Sequence, residues 1–182
     1  GVLEIRDITD EVREFVLESG VMDGIACVYS PHTTCMVRVN EFEAGFLEDF
    51  TRLLRRLVPS EKYYAHDDWD RRTENICPED MEFGNGHSHC MAMLLGPAGE
   101  SIPVRDGELC LGTWQRVLFI ELDRSRDRRW MVQVVGTHGV RVEIDAAQVV
   151  DPGEAGRVLD HDLIGGPPAG EGDRGRLGVG RR

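Results

Sequence analysis

Five of the six histidines, His32, His66, His87, His89 and His138, stand at loops or at the ends of apolar runs rather than inside them. Imidazoles so placed suit metal ligation better than core packing, because a neutral ring offers one free lone pair. The sharpest local feature is His87-Ser88-His89. On an extended chain, residues two apart face the same way about 6.5 to 7 Å from each other. Two such rings could close on one ion at Zn–N distances of about 2.0 to 2.1 Å. Gly84 and Gly86 let the backbone turn sharply just before them. His32 lies where Pro31 breaks an apolar strand, and His66 opens a long polar segment beside Asp67. A carboxylate in that position can take the second ring proton of a metal-bound imidazole. Ordinary surface histidines and a solvated turn acid explain the same residues, so at this level a divalent-metal site is indicated and its membership stays open.

Other site chemistries lack their sequence cues. Gly84-Asn85-Gly86 has neither the strand, the helix nor the lysine of a phosphate-binding loop, and no Gly-x-Ser-x-Gly marks a serine nucleophile. The five cysteines include no Cys-x-x-Cys pair and are odd in number, unlike a zinc ribbon or a secreted disulfide framework. Cys77, beside Pro78, and Cys90, beside His89, are the two placed to serve as nucleophile or ligand; the others are expected to be small buried groups.

The elements that must position these residues follow from pattern. Val2–Ile8 reads as a strand, followed by a helix that Thr9 or Asp10 can cap and Gly20 ends. Val21–Tyr29 and Thr34–Asn40 read as strands around a loop at Ser30–Thr33, where Pro31 cannot donate to a ladder. Glu41–Leu57 carries Phe46, Leu47, Phe50, Leu53, Leu54 and Leu57 on one helical face, with Asn40 and Glu43 resembling a capping box. Ser60–His87 has no period and is long enough to suggest a functional loop. Met91–Leu95 is too short to assign. Ile102–Val104, Glu108–Leu111, Val117–Leu122 and Trp130–Val135 read as antiparallel strands joined by tight turns, the last two as neighbours across a charged turn.

Composition bounds the function. A chain of 182 residues suits one domain, taken as residues 1–150, with a Gly-, Pro- and charge-rich tail at 151–182. The formal charge of −12 opposes nucleic-acid binding. The one dense basic stretch, Arg124–Arg129, reads as a solvated hairpin turn. No apolar run reaches the ~20 residues of a membrane span. The start lacks the blocks of a secretory signal, so a cytoplasmic protein is expected.

Taken in order, Pro31-His32-Thr33-Thr34, Val39-Asn40-Glu41, Tyr64-Ala65-His66-Asp67 and Gly86-His87-Ser88-His89 resemble the motifs of the YjbQ family. Ser101-Ile102-Pro103-Val104, Gly107 and Leu111-Gly112-Thr113-Trp114-Gln115, with Glu121 and the arginine-rich turn, extend the resemblance over Val2 to Gly136. Beyond that point the chain departs from the pattern, with Thr137–Ile144 reading as an extra strand. The resemblance implies an α+β fold, a jelly-roll-like antiparallel β-sandwich with two main helices, assembled as a homotrimer. It also implies a metal site on three histidines that map to His32, His66 and His89, with His87 beside them as a supporting or substitute ligand. The family is also labelled secondary thiamine-phosphate synthase.

That reaction would join a thiazole phosphate to a pyrimidine pyrophosphate with loss of pyrophosphate, a step served by Mg²⁺ and by Lys or Arg. Three imidazoles instead favour zinc with an open position, and Arg72 or Arg105 are the candidate sources of the missing positive charge. The readings are therefore a metal-dependent enzyme acting on a small phosphorylated or heterocyclic molecule, a non-catalytic metal- or metabolite-binding protein, and a hydrolase using zinc-bound water. In the hydrolase, Glu41 or Asp67 would be the general base. Thr33, Asn40, Trp114 and Gln115 are the candidate substrate contacts, Trp114 as a pocket wall and Gln115 as a hydrogen-bonding arm; a helix start and a core-anchoring aromatic explain Asn40 and Trp114 as well.

Overall fold

The computed structural model describes residues 3–76 and 83–138. Seven strands and three α-helices follow in the order β1 (Glu4–Asp7), α1 (Thr9–Ser19), β2 (Val21–Tyr29), β3 (Cys35–Asn40), α2 (Ala44–Leu57), α3 (Gly86–Leu95), β4 (Gly99–Arg105), β5 (Glu108–Leu109), β6 (Arg116–Glu121) and β7 (Met131–His138). A 3₁₀ turn at Ala65–Asp67 lies between α2 and α3. The strands form two antiparallel sheets, one in the order β1-β6-β3 and one in the order β5-β4-β2-β7. This is the α+β fold expected, with α3 as a third helix.

Two apolar clusters hold the layers together. Cys35, Val37, Val117 and Phe119 of the smaller sheet meet Ala26, Val28, Ile102, Val104 and Val132 of the larger one, and α1 adds Val12, Phe15 and Val16 to this core. The strand period of two sends the alternate residues Met36, Leu118 and Ile120 to the other face. There they pack under Leu54 of α2 and Met91 and Ala92 of α3. The smaller sheet is thus buried on both faces, and the functional loops gather at its ends.

Two turns behave as their residues require. Gly20 ends α1 at φ +68°, a left-handed position that favours glycine. Asp106 and Gly107 both have positive φ, 52° and 78°, as a two-residue turn between β4 and β5 demands.

Several expectations need correction. The side chain that supports the start of α1 is Asp7, which accepts hydrogen bonds from Thr9 N and Oγ1 at 2.9 and 2.6 Å. For α2 the cap is Glu43, whose carboxylate accepts from Gly45 N and Phe46 N, both at 2.8 Å; Asn40 ends β3 and lies too early for that role. β6 and β7 are not neighbours. β6 pairs with β1 and β3, whereas β7 pairs with β2 in the other sheet. The segment between them crosses between sheets, because its arginines fold back onto acids at the end of β6 instead of projecting into water as a hairpin turn would. Thr137 and His138 continue β7; the rest of the expected Thr137–Ile144 strand, the tail at 151–182 and Cys77 lie outside the described residues.

Candidate functional site

The central feature is the approach of two histidines from separate elements. His66 sits in the 3₁₀ turn and His89 in the first turns of α3, with ring centroids 4.5 Å apart and planes inclined at 55°. Asp67 makes the approach possible. Its Oδ1 accepts the backbone N–H of Asn85 and of Gly86, each at 2.9 Å, and so ties the N-terminus of α3 to the 3₁₀ turn. A carboxylate there also complements the positive end of the helix dipole. Glycine is required at the crossing: a Cβ on Gly86 would lie 2.6 Å from Tyr64 Cβ and 3.1 Å from His66 Cβ, and one on Gly84 would lie 2.9 Å from Asp67 Cγ.

Because residues 86–95 are helical, His87 and His89 do not share a face. Two residues on a helix of 3.6 per turn are separated by about 200°. His87 is accordingly buried against Tyr64, ring centroids 6.1 Å apart, with Ser88 Oγ at 3.3 Å from its Nε2. Burial foremost pushes the pKa of both His87 and His89 below the usual imidazole value, the neighbouring His66 adding to the shift at His89.

Arg72 is the unexpected partner of this pair. Its guanidinium lies 3.1 Å from His66 Nε2 and 3.3 Å from His66 O. It also donates to Glu74 O and Asn75 O at 3.1 and 2.6 Å and stacks 5.3 Å from the Trp69 ring centroid. Arginine has no acceptor, so His66 Nε2 must be the unprotonated nitrogen and the neutral ring carries its proton on Nδ1. Arg105, the other arginine considered, is an exposed residue of β4.

These residues open onto a cavity of about 890 Å³, a size suited to a small-molecule ligand. One wall is the 3₁₀ turn, Trp69 and Arg71–Asn75; the other is Thr33, Thr34, Asp123, Arg126 and Arg128, with Asn85 and His89 between them. Asn85 Nδ2 donates to Asp123 Oδ2 at 3.2 Å, and Arg126 reaches the same oxygen at 3.0 Å. Beneath this second wall lies Glu121, 3% exposed. It accepts from Asp123 N at 2.8 Å, Thr34 Oγ1 at 3.4 Å, Cys35 Sγ at 3.3 Å and Arg128 Nε. Burial first and the Glu121 charge second push the Cys35 thiol up to about 12, so Cys35 is a protonated hydrogen-bond donor.

The expected site residues thus divide into three groups. His66, His89 and Thr33 border the cavity. Asp67 lies behind it, its carboxylate engaged by α3. Asn40, Glu41, Trp114 and Gln115 gather at the far end of the smaller sheet, where Asn40 is the register partner of Arg116 while Cys35 partners Glu121 five positions away. At ~3.4 Å per residue this places the two ends about 17 Å apart. There Asn40 Oδ1 accepts from Glu41 N, Gln115 Oε1 accepts from Gly112 N, and Trp114 is 72% exposed.

His32 joins neither group of rings. Its Nε2 accepts the backbone N–H of Arg129 at 3.1 Å; burial first, then Arg128, holds its pKa below the usual value. As arranged, the residues do not fit a three-imidazole metal centre. His66 and His32 each spend a lone pair on another donor, and among the described residues no group of three His, Cys, Asp or Glu side chains is placed to hold a metal ion. Sequence reasoning missed Arg126, Arg128 and Asp123 as cavity residues. Their only signal was the charge density of a stretch that reads equally well as a solvated turn.

Among the described residues, no helix is long and apolar enough to cross a membrane.

The profile of the family described as "UPF0047 protein YjbQ-like" matches residues 2–137. A UPF0047 protein of Archaeoglobus fulgidus is 43% identical over 133 residues, 73% of this chain and 92% of that protein. UPF0047 protein YugU of Bacillus subtilis is 33% identical, over 73% of this chain and 90% of its own length. Among solved structures, an uncharacterised YjbQ/UPF0047 protein of Clostridium acetobutylicum matches with a TM-score of 0.62 and 34% identity, covering 73% of this chain and 92% of that one. A hypothetical protein of Aeropyrum pernix matches with a TM-score of 0.63 and 34% identity, covering 74% and 90%. With two packed antiparallel sheets, the matched motifs and these relatives in agreement, the chain belongs to the YjbQ/UPF0047 family.

Proposed function

We propose that the cavity between the 3₁₀ turn and the β6–β7 crossover is the site of a small-molecule enzyme whose substrate carries phosphate. The observation that carries this reading is Arg72 bonded to His66 Nε2 beside His89. A fixed cation and the His66 imidazole share one wall with His89 beside them, while Arg126 and Arg128 line the other. Arginine forks suit phosphate oxygens, and imidazoles transfer protons near neutrality. In the most specific version, resembling thiamine-phosphate synthesis, the thiazole ring nitrogen bonds to the pyrimidine methylene carbon as that carbon's C–O bond to pyrophosphate breaks; the arginines stabilise the departing anion and His89 orients the reacting rings. No step here is routed through a metal. A zinc-dependent form would use His66 and His89 and requires Arg72 to leave Nε2 first.

The assembly proposed with this reading is a homotrimer, checked by light scattering, where three chain masses are expected and a monomer at micromolar concentration would remove it. The reading itself is tested by incubating the purified protein with thiazole phosphate and pyrimidine pyrophosphate, with and without Mg²⁺ or Zn²⁺, alongside metal analysis. Loss of turnover in His89→Gln with the fold intact supports it. Binding of phosphorylated ligands without turnover would favour a metabolite-binding protein.

A further inference from the structure

The proposed site leaves unexplained why a carboxylate, Glu121, is buried beneath the cavity wall with an arginine locked to it. Burying an ion pair is costly, and pairs of this kind often contribute little net stability, so stability alone is a weak reason for its presence. Its geometry suggests another. Glu121 takes Arg128 through Nε, while Arg128 Nη2 donates to Thr34 Oγ1 at 3.3 Å and Thr34 Oγ1 donates to Glu121 at 3.4 Å. The three side chains close a ring that fixes the guanidinium plane. Asp123 N binds the same carboxylate at 2.8 Å, which also holds the chain entering the crossover. Arg128 is left 14% exposed, bordering the cavity, while the Glu121 side chain is 4% exposed. One Nε donor and one Nη2 donor are used by the ring, and the Nη1 donors have no partner among the described residues.

We propose that Arg128 is the phosphate-anchoring group of this cavity and that buried Glu121 is its positioning residue, with the ligand class a phosphomonoester or pyrophosphate dianion. This rests on the phosphorylated-substrate reading above and adds where the phosphate goes. The anion meets Arg128 and Arg126 on the crossover wall, leaving the rest of the molecule to extend toward His66 and His89. Thr34 does not donate to the ligand, because its hydroxyl proton goes to Glu121. Glu121 never touches the ligand; it sets the orientation of the guanidinium that does. Arginine suits the position better than lysine, since a single ammonium cannot both satisfy the buried Glu121–Thr34 pair and present two donors to the anion.

The test is calorimetric titration of the full chain with inorganic phosphate and pyrophosphate. Relative to the unaltered protein, Arg128→Lys should weaken pyrophosphate binding by about tenfold or more, the scale of losing a charge-assisted pair of hydrogen bonds. Glu121→Gln should weaken it by a smaller factor, through orientation. Because Arg128→Ala strands a buried carboxylate and risks unfolding, the double variant Arg128→Ala/Glu121→Gln is the companion. It should melt close to the unaltered protein yet bind no pyrophosphate, whereas a purely structural pair would regain affinity once the fold is restored. Arg52→Gln, an exposed arginine of α2 outside the cavity, should leave phosphate affinity within about twofold. Unchanged affinity in Arg128→Lys, with binding lost in Arg72→Gln, would overturn this subsite and leave the phosphorylated-substrate reading standing. No binding of either anion by the unaltered protein would overturn both.

Discussion

The carboxylate of Asp67 accepts the backbone N–H of Gly86, 19 residues further along the chain, at 2.9 Å from Oδ1. Through that contact a loop turn and a helix become one unit, and His66 and His89 meet.

Asp67→Ala should therefore lower stability by about 1–3 kcal/mol, the range for leaving a buried donor unsatisfied, and also separate the two imidazoles. Gly86→Ala keeps the hydrogen bond but inserts a Cβ between Tyr64 and His66, with an expected cost of about 1–3 kcal/mol from overpacking. Urea denaturation measures both. An unchanged midpoint in Gly86→Ala would show that the helix approaches the turn less closely than described.

At the Glu121–Arg128 pair, removing one partner leaves the other charge buried. Glu121→Ala or Arg128→Ala should each cost about 3–5 kcal/mol. Denaturant curves of the two single variants and the double variant give the coupling, and additive losses would contradict a direct pair.

The pH dependence follows from His87. Burial holds its folded pKa below the ordinary 6.5, so the folded state binds fewer protons than the unfolded chain. Stability is then fully present above about pH 6.5 and falls as pH drops through that value toward the folded pKa. His32 and His89 act in the same direction. His87→Gln should flatten part of this slope between pH 7 and 5, measured as the melting temperature at each pH. A slope as steep as in the unaltered protein would remove His87 as a source.

Thiol chemistry should separate the cysteines. Cys35 is 1% exposed with its thiol pushed up to about 12, while Cys27, Cys90 and Cys110 are exposed. Alkylation of the native protein at pH 8, mapped by mass spectrometry, should modify Cys90 and Cys110 well before Cys35, because the thiolate is the reacting form. Early modification of Cys35 would mean that the Glu121 cluster opens readily.

Strands and the turns between them were legible where local chemistry decides them. Val21–Tyr29 alternates inward Ala26 and Val28 with outward neighbours, and Asp106-Gly107 carries its turn type in its residues. α3 was not legible, because its Cys90–Leu95 half is apolar on all sides and its start is Gly-His-Ser-His; the resulting extended reading put His87 and His89 on one face. The partition of β6 and β7 into separate sheets depends on long-range pairing, which a local period does not carry. His66 and His89 were identifiable as chemistry-bearing residues, whereas the Arg72 contact and the inward fold of Arg126 and Arg128 arise only from tertiary structure.

The central claim, that this cavity binds a phosphorylated small molecule between Arg72 and Arg128, is tested most directly by calorimetric titration of the purified protein with pyrophosphate, repeated for Arg72→Gln and Arg128→Lys. The account predicts saturable one-site binding that weakens by about tenfold, roughly 1.4 kcal/mol, in Arg128→Lys. In Arg72→Gln, affinity should fall as the cation beside His66 is lost. Binding unaffected by either substitution, or no binding by the unaltered protein, would contradict it.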